Sequence, residues 1–573
     1  GITSSGSSFL TGPSGNVRIS PTGGIVMFGC YLYGPGITNT GTTATGRNDG
    51  VIFWGPVGAL QILAQRGSPA PSGGSVYDTA FNSISLQNTG INRQGIALFK
   101  ADLVGGDVVA GVNDDAWVIG GPGAHQWMCR ESDLLLGGAV AVGSLGFQAQ
   151  MDENGFVLHD ETLSQTLGTT PASATDDSIL LLYNPGGTQT VIAREGDPVP
   201  GVSGGLHGTI AITSRAFSRR NKYLVYATTM TGPGVSTADD SVLVAGTPGN
   251  LTLVAREGDP APTGVAGDAF SGFYTTGYTI NDEGTVCFLA ILTGPSVTNL
   301  NNVALFYRDA TGTQMLARGG DTAADMPAGY IIGTASNSGM ASGTPHLNDL
   351  GQVLFAASVW DGVNNTSGVT NQYAYDPIHG LHASHIGGEA WTAFGGATVT
   401  NHGTSQFNSG DGSPAFFNNN GDYCSRTFFT GGSGVNIALL RNHLGSLHGS
   451  TASLPATGGT QTLDIDATAA NAGKLYVLAG CISGSRPGFT LFGKHIPLNN
   501  DFWLTLSIQN ANGPVYPNSW GILNGSGQAS TAFAFPAGFA GLIGATFHHA
   551  VGVLDTSTGS LDLVSEPVSV RLY

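Results

Sequence analysis

The stretch INDEGTVCFLAILTG, residues 280–294, decides the fold of this chain. Asn281 stands three residues before Gly284, and an apolar run follows at once. Asparagine tolerates left-handed backbone and caps its own turn with its side-chain oxygen, while glycine supplies positive φ. The segment therefore reads as a tight turn feeding a β-strand. Working outward, the same unit recurs as INRQGIALFKADLVG from Ile91, with Asn92 and Gly95, and as LNDLGQVLFAASVWDG from Leu347, with Asn348 and Gly351. Weaker copies begin at Met151 and Phe417, and degenerate ones at Ser20 and Ser218. Taking Pro21, Asn92, Asp152, Arg219, Asn281, Asn348 and Asn418 as equivalent positions, the mean period is about 66 residues.

A second element alternates with the first. It is a short apolar strand ending in arginine, as in LTLVAREGDPAPTG from Leu251, and it places Arg66, Arg130, Arg194, Arg256 and Arg318 at matching points. With a third apolar run before each such strand and a more variable one before each turn, a repeat holds about four strands, the content of one propeller blade. The fold class expected is all-β: a seven-bladed β-propeller over residues 1–446, then a C-terminal β-sandwich over 447–573, where the period stops and short strands including IPLNNDFW follow turn signals. The seventh repeat lacks an arginine strand after Leu440, so Ser7–Leu10 or Val17–Ile19 is expected to complete it.

Charged residues make up only 10% of the chain and the formal charge is −18, which removes the basic footprint that nucleic-acid binding needs. No apolar run is long enough to span a membrane as a helix. The chain starts at Gly1, which suggests removal of a signal peptide or a tag. Cys30, Cys129, Cys287, Cys424 and Cys481 include no CxxC pair, so burial as small apolar residues is expected.

The Asn-x-x-Gly turn-strand and the Ala-Arg-Glu-Gly-Asp-Pro segment resemble bacterial secreted tandem-repeat proteins named for the NxxGxxAF motif, over about residues 15–445. The tail resembles a C-terminal module of exported planctomycete-type proteins, through Gly-Gly-Thr at 458–460, Ala-Gly-x-x-Tyr at 472–476 and Gly-Ser-Gly-x-Ala at 525–529. These likenesses imply export to the cell exterior or surface and imply no common reaction.

Five recurring arginines suit bracing better than a site, because catalytic constellations break symmetry. Departures from the repeat are more informative. The sixth repeat carries His379, His382 and His385, a transition-metal candidate, although a spacing of three points strand side chains to opposite faces. The fourth repeat gathers Arg219, Arg220 and Lys222, a candidate for docking an acidic neighbour or a polyanionic glycan, with Asp176, Asp177, Asp239 and Asp240 as acids that could pair with them. Trp391 is a candidate sugar platform. No resident cofactor is expected, with calcium in Asp-rich turns or a transition metal as the metal options. Acids in repeated turns, such as Asp152-Glu153 and Asp282-Glu283, argue against a unique acid/base pair. The expected role is a non-catalytic structural or adhesion protein that self-associates, through propeller–sandwich contacts, or meets other surface components. The alternative is a lectin-like or glycan-active propeller.

Overall fold

A computed structural model describes residues 9–10, 18–20, 24–41, 46–78, 89–340, 345–362, 369–385, 390–391, 397–403, 417, 422–430, 437–451, 453–485, 488–538 and 540–573. Among these residues the chain is all-β apart from short helical turns and one α-helix. The position Asn418 lies outside the described residues.

Among the described residues, seven antiparallel sheets follow one another along the chain up to His443. The fifth is the plainest: Ala269–Ile280, Val286–Thr293, Val303–Asp309 and Gly312–Arg318 pair in sequence order. The turn at residues 280–285 works as its composition requires. Asn281 Oδ1 accepts the backbone N–H of Glu283 and Thr285 at 3.1 and 2.8 Å, and Gly284 sits at φ +80. Asn92, Asp152 and Asn348 make the same turn.

The first and fourth sheets correct the assumed register. Their capping residues are Ser20 and Ser218, the latter one residue before Arg219; Pro21 lies outside the described residues. Ser20 Oγ accepts Ile25 N–H at 3.1 Å and Ser218 Oγ accepts Tyr223 N–H at 3.0 Å. The turn is one residue longer, because a hydroxyl has replaced the amide as the acceptor that closes it. Residues Phe9–Leu10 and Arg18–Ile19 pair with Val26–Tyr33 in the first sheet instead of completing the seventh. The seventh sheet is built from Ala390–Trp391, Ala397–Gly403, Asp422–Thr430 and Ile437–His443.

Sheets one to six pack face to face in sequence order. Each interface holds one apolar cluster drawn from two successive sheets, such as Leu158, Leu180 and Ala193 with Phe217, Tyr226 and Val244. Strands Arg18–Ile19, Thr89–Ile91, Val140–Met151, Leu206–Phe217, Ala269–Ile280 and His346–Leu347, one from each of sheets one to six, lie against one another in that order and form a continuous row.

Beyond Ser446 two sheets share a core of Leu463, Ile465, Phe533 and Phe535 on one side and Leu478, Phe547, Val551 and Val570 on the other. One segment expected as strand is helical. Phe502–Gln509 forms an α-helix because Asp501 caps it, accepting Leu504 N–H at 2.8 Å. Among the described residues no helix is long and apolar enough to cross a membrane. Cys30, Cys129, Cys287 and Cys481 are free and buried.

Candidate functional site

A cavity of about 810 Å³ opens where the turns of sheets four, five and six meet the C-terminal unit. Arg220, Asn221, Asp282, Glu283, Asp349 and Leu350 come from the turns; Ser485, His495, Pro497 and Pro567 come from the other side. The repeat itself delivers the polar groups. Each lies one to three residues past a capping position, and packing of successive sheets brings successive turn tips together.

The tips are tied in a row. Glu153 N–H donates to Arg219 O at 2.7 Å, Arg220 N–H to Asp282 Oδ1 at 2.8 Å, and Asp282 N–H to Asp349 Oδ1 at 2.8 Å. Asn221 Nδ2 adds a bond to Asp282 O at 2.8 Å, and Asn281 Nδ2 one to Asn348 O at 3.0 Å. Asp282 is 2% exposed, and its Oδ2 is buried without a hydrogen-bond partner. Burial, reinforced by the nearby Asp349 carboxylate, raises the Asp282 carboxyl above its ordinary range despite the Arg220 N–H and the neighbouring guanidinium groups. A buried carboxyl in a cavity, held partly toward its neutral form beside a second carboxylate, can exchange a proton or hydrogen-bond a hydroxyl.

Of the basic cluster, Arg220 lines this cavity, but it is engaged. Arg219 Nη2 reaches Glu153 Oε1 at 2.6 Å and Arg220 Nε reaches Glu153 Oε2 at 2.9 Å. The partner acid is therefore Glu153 of the preceding sheet, not Asp176, Asp177, Asp239 or Asp240. Burial alone would raise Glu153, yet Arg220 and Arg219 hold it below the usual glutamate range. Lys222 turns away and places its ammonium 4.5 Å from the Phe156 ring centroid.

The recurring arginines brace loops. Arg130 Nη1 pairs with Asp107 Oδ2 at 2.9 Å, Arg194 Nη2 with Asp176 Oδ2 at 2.8 Å, Arg318 Nη1 with Asp268 Oδ2 at 2.9 Å and Arg66 Nη2 with Asp78 Oδ1 at 2.8 Å; Arg256 pairs with Asp239. The acid three residues on serves the backbone instead: Asp133 and Asp321 accept the N–H of Arg130 and Arg318.

His379 and His382 make separate contacts. His379 bridges to the C-terminal unit, with Nδ1 3.1 Å from Asp376 Oδ1 and Nε2 3.2 Å from Asp466 O. Its hydrogen bond to Asp376 raises it to about 9, and Asp376 falls to about 2 because bonds from His379 and Gln352 outweigh the burial that would raise it. His382 Nδ1 lies 3.4 Å from Gly380 O. His385 pairs with Gln372 at a strand end, and Trp391 with Ala397; their side chains are outside the described residues. Around His379 a buried seam joins the two units: Gln352 Nε2 donates to Asp376 Oδ2 at 2.7 Å, and Ser446 N–H to Glu566 Oε2 at 2.8 Å.

Sequence reasoning set aside Asp282 because acids recur in these turns, and it did not single out Asp349. The available signal was that both directly follow the capping asparagine, 67 residues apart, which makes them neighbours once sheets pack in order.

A family model described as "Family of unknown function" (DUF7453) matches residues 35–371. No curated protein matches the sequence. Among solved structures, the chain is similar to an acylaminoacyl peptidase from Pyrococcus horikoshii at 8% identity and a TM-score of 0.33, over 80% of this chain and 58% of the peptidase. The chain thus spans less than two thirds of that enzyme. It is also similar to a polysaccharide lyase, at 8% identity and a TM-score of 0.33, over 75% of this chain and 90% of the lyase. A third likeness is to an α-L-arabinofuranosidase from Fusarium graminearum, at 9% identity and a TM-score of 0.27, over 62% and 92%. Likenesses this distant assign no chemistry.

Proposed function

Because this chain belongs to DUF7453, a family of unknown function, its role has to rest on its own site, and we propose that it is a glycan-recognising protein of the cell exterior. Its ligand would enter the 810 Å³ cavity at the turn tips. The observation that carries this reading is Asp282, which is among the residues lining that cavity while its Oδ2 is buried without a hydrogen-bond partner. Such an oxygen costs free energy unless a ligand donor meets it. The surrounding carboxylates, amide, hydroxyl and imidazole are the mixed donors and acceptors that vicinal sugar hydroxyls require. In this reading the seven sheets are the blades of a propeller, supported by the continuous row of strands that links sheets one to six, and the C-terminal unit is a β-sandwich seated over the turn-bearing end.

The carboxyl pair favours a glycan-active version over pure binding. Glycoside cleavage uses two carboxyl groups whose environments differ, one protonated and one ionised. Asp282 is the candidate acid, and Asp349 is the candidate partner. The scaffold role anticipated from composition draws on contacts between the C-terminal unit and a propeller; here the seam through Glu566, Asp466 and His379 supplies that contact within one chain.

The test is a glycan array probed with the full chain, followed by turnover measurements on a polysaccharide panel. Wild-type protein is expected to bind a defined glycan set, and Asp282→Asn to lose affinity by roughly tenfold or more, as expected for an unreplaced charged hydrogen bond. Binding unchanged in Asp282→Asn would move the site elsewhere. Neither binding nor turnover by the wild type would sink the reading.

A further inference from the structure

The interface between sheets two and three breaks the repeat in three places at once. In the strand that follows the capped turn of a sheet, the third and fifth residues face the preceding sheet as an aromatic and a small residue. They are Phe99 and Ala101 in sheet two, Tyr226 and Thr228 in sheet four, Phe288 and Ala290 in sheet five, and Phe355 and Ala357 in sheet six, all buried. Sheet three has His159 and Glu161 there. The facing residue, just before the terminal arginine of the previous sheet's last strand, is alanine in sheets three, four and five, as Ala193, Ala255 and Ala317. In sheet two it is Cys129.

All three replacements are of metal-ligand types, and they converge. One ligand atom from each of Cys129, His159 and Glu161 lies within 4.8 Å of the other two, and all three residues are buried. An apolar interface has no reason to take on an imidazole and a carboxylate, whose desolvation is costly, unless something compensates them.

We propose that Cys129, His159 and Glu161 form a buried site for a transition-metal ion of the zinc class, stapling sheet two to sheet three. Thiolate, imidazole and carboxylate together suit that class. The surroundings are already those of an oriented ligand set. His159 Nδ1 lies 2.6 Å from Glu161 Oε1, so both face one point. His159 Nε2 lies 3.0 Å from Gln189 Oε1, and Gln189 Nε2 is committed to Met128 O at 3.1 Å, which keeps the amide oxygen turned toward the ring. An Nε2 proton held this way leaves Nδ1 as the donor to metal. Gly146 N–H fixes the other carboxylate oxygen, donating to Glu161 Oε2 at 2.9 Å. Around a tetrahedral ion the ligand atoms sit roughly 3–4 Å apart, so only a small spreading of the His159–Glu161 contact is needed. Burial also means that the ion enters as the chain folds.

The full chain, without a polyhistidine tag, is expressed in cobalt-supplemented medium and its absorption spectrum and metal content are measured. The expected result is about one cobalt per chain, a thiolate-to-cobalt charge-transfer band and the visible bands of a tetrahedral ion. Cys129→Ala removes the charge-transfer band. The triple variant Cys129→Ala, His159→Phe, Glu161→Ala recreates the packing of the neighbouring interfaces, folds, and holds roughly tenfold less metal or below. A folded wild-type chain with no thiolate–cobalt band overturns the proposal and leaves the cluster a buried imidazole–carboxylate pair. A band that survives in Cys129→Ala overturns it equally, since another cysteine then binds the metal.

Discussion

His379 Nδ1 stands 3.1 Å from Asp376 Oδ1, and this pair sits at the seam between the sixth sheet and the C-terminal unit. A raised imidazole favours the protonated, docked state. Its share of stability is complete below pH 6.5 and is lost as the pH climbs through about 9. The depressed Asp376 works the other way: its share is present above pH 3.8 and is lost as the pH falls through about 2. In thermal unfolding followed across pH, this pair should therefore contribute a plateau between these limits and a decline on the alkaline side. His379→Gln should flatten that alkaline decline. An unchanged alkaline slope in the variant would assign it to other groups.

Glu153 holds two guanidinium groups while almost completely buried. Glu153→Gln keeps the shape and removes the charge, leaving Arg219 and Arg220 without their acid. Partial exposure of both arginines softens the penalty, so a loss of about 2–3 kcal/mol is expected in urea denaturation. A double-mutant cycle with Arg220→Met should recover part of it. Additive effects would mean that the pair contributes no coupling.

Gly284 lies at φ +80, and a Cβ there would come within 2.7 Å of the Tyr223 ring. Gly284→Ala meets both a left-handed backbone and a clash between sheets four and five. The expected cost is about 2 kcal/mol or more. Gly36→Ala, at φ +80 with open space around the new methyl, carries the backbone penalty alone and should cost less. Equal losses would show that the inter-sheet contact yields freely.

Asp282 offers a test in which stability and binding move oppositely. Burial and the Asp349 charge raise its carboxyl, so ionising it at neutral pH costs the fold free energy. Asp282→Asn should therefore raise the melting temperature at pH 7, with the gain shrinking as the pH falls and the wild-type group becomes protonated. The same variant should weaken the glycan binding proposed above, the pattern of a site kept at the expense of stability. A destabilised variant at pH 7 would show that Asp282 is compensated in the free protein.

The repeat was open to reading because each turn is local chemistry. Asn92, Asn281 and Asn348 cap residues no more than four positions away, so the pattern is written within a few letters. Ser20 and Ser218 were harder to place, because a hydroxyl can close a turn of a different length. The Phe502–Gln509 helix carried its own local signal in Asp501 and was masked by the strand-rich surroundings.

By itself, then, the sequence determined the all-β class and the turns capped by Asn92, Asp152, Asn281 and Asn348, consequences of hydrogen bonds and side-chain alternation between near neighbours. The partners of the charged groups were decided only in three dimensions. Glu153 found Arg219 and Arg220, Asp282 found Asp349, and Cys129 found His159 because stacking brings residues of successive sheets together. His379 found Asp466 because the C-terminal unit folds back onto the sixth sheet. Such pairings depend on how sheets pack, and packing is collective, so no local stretch of the chain contains it.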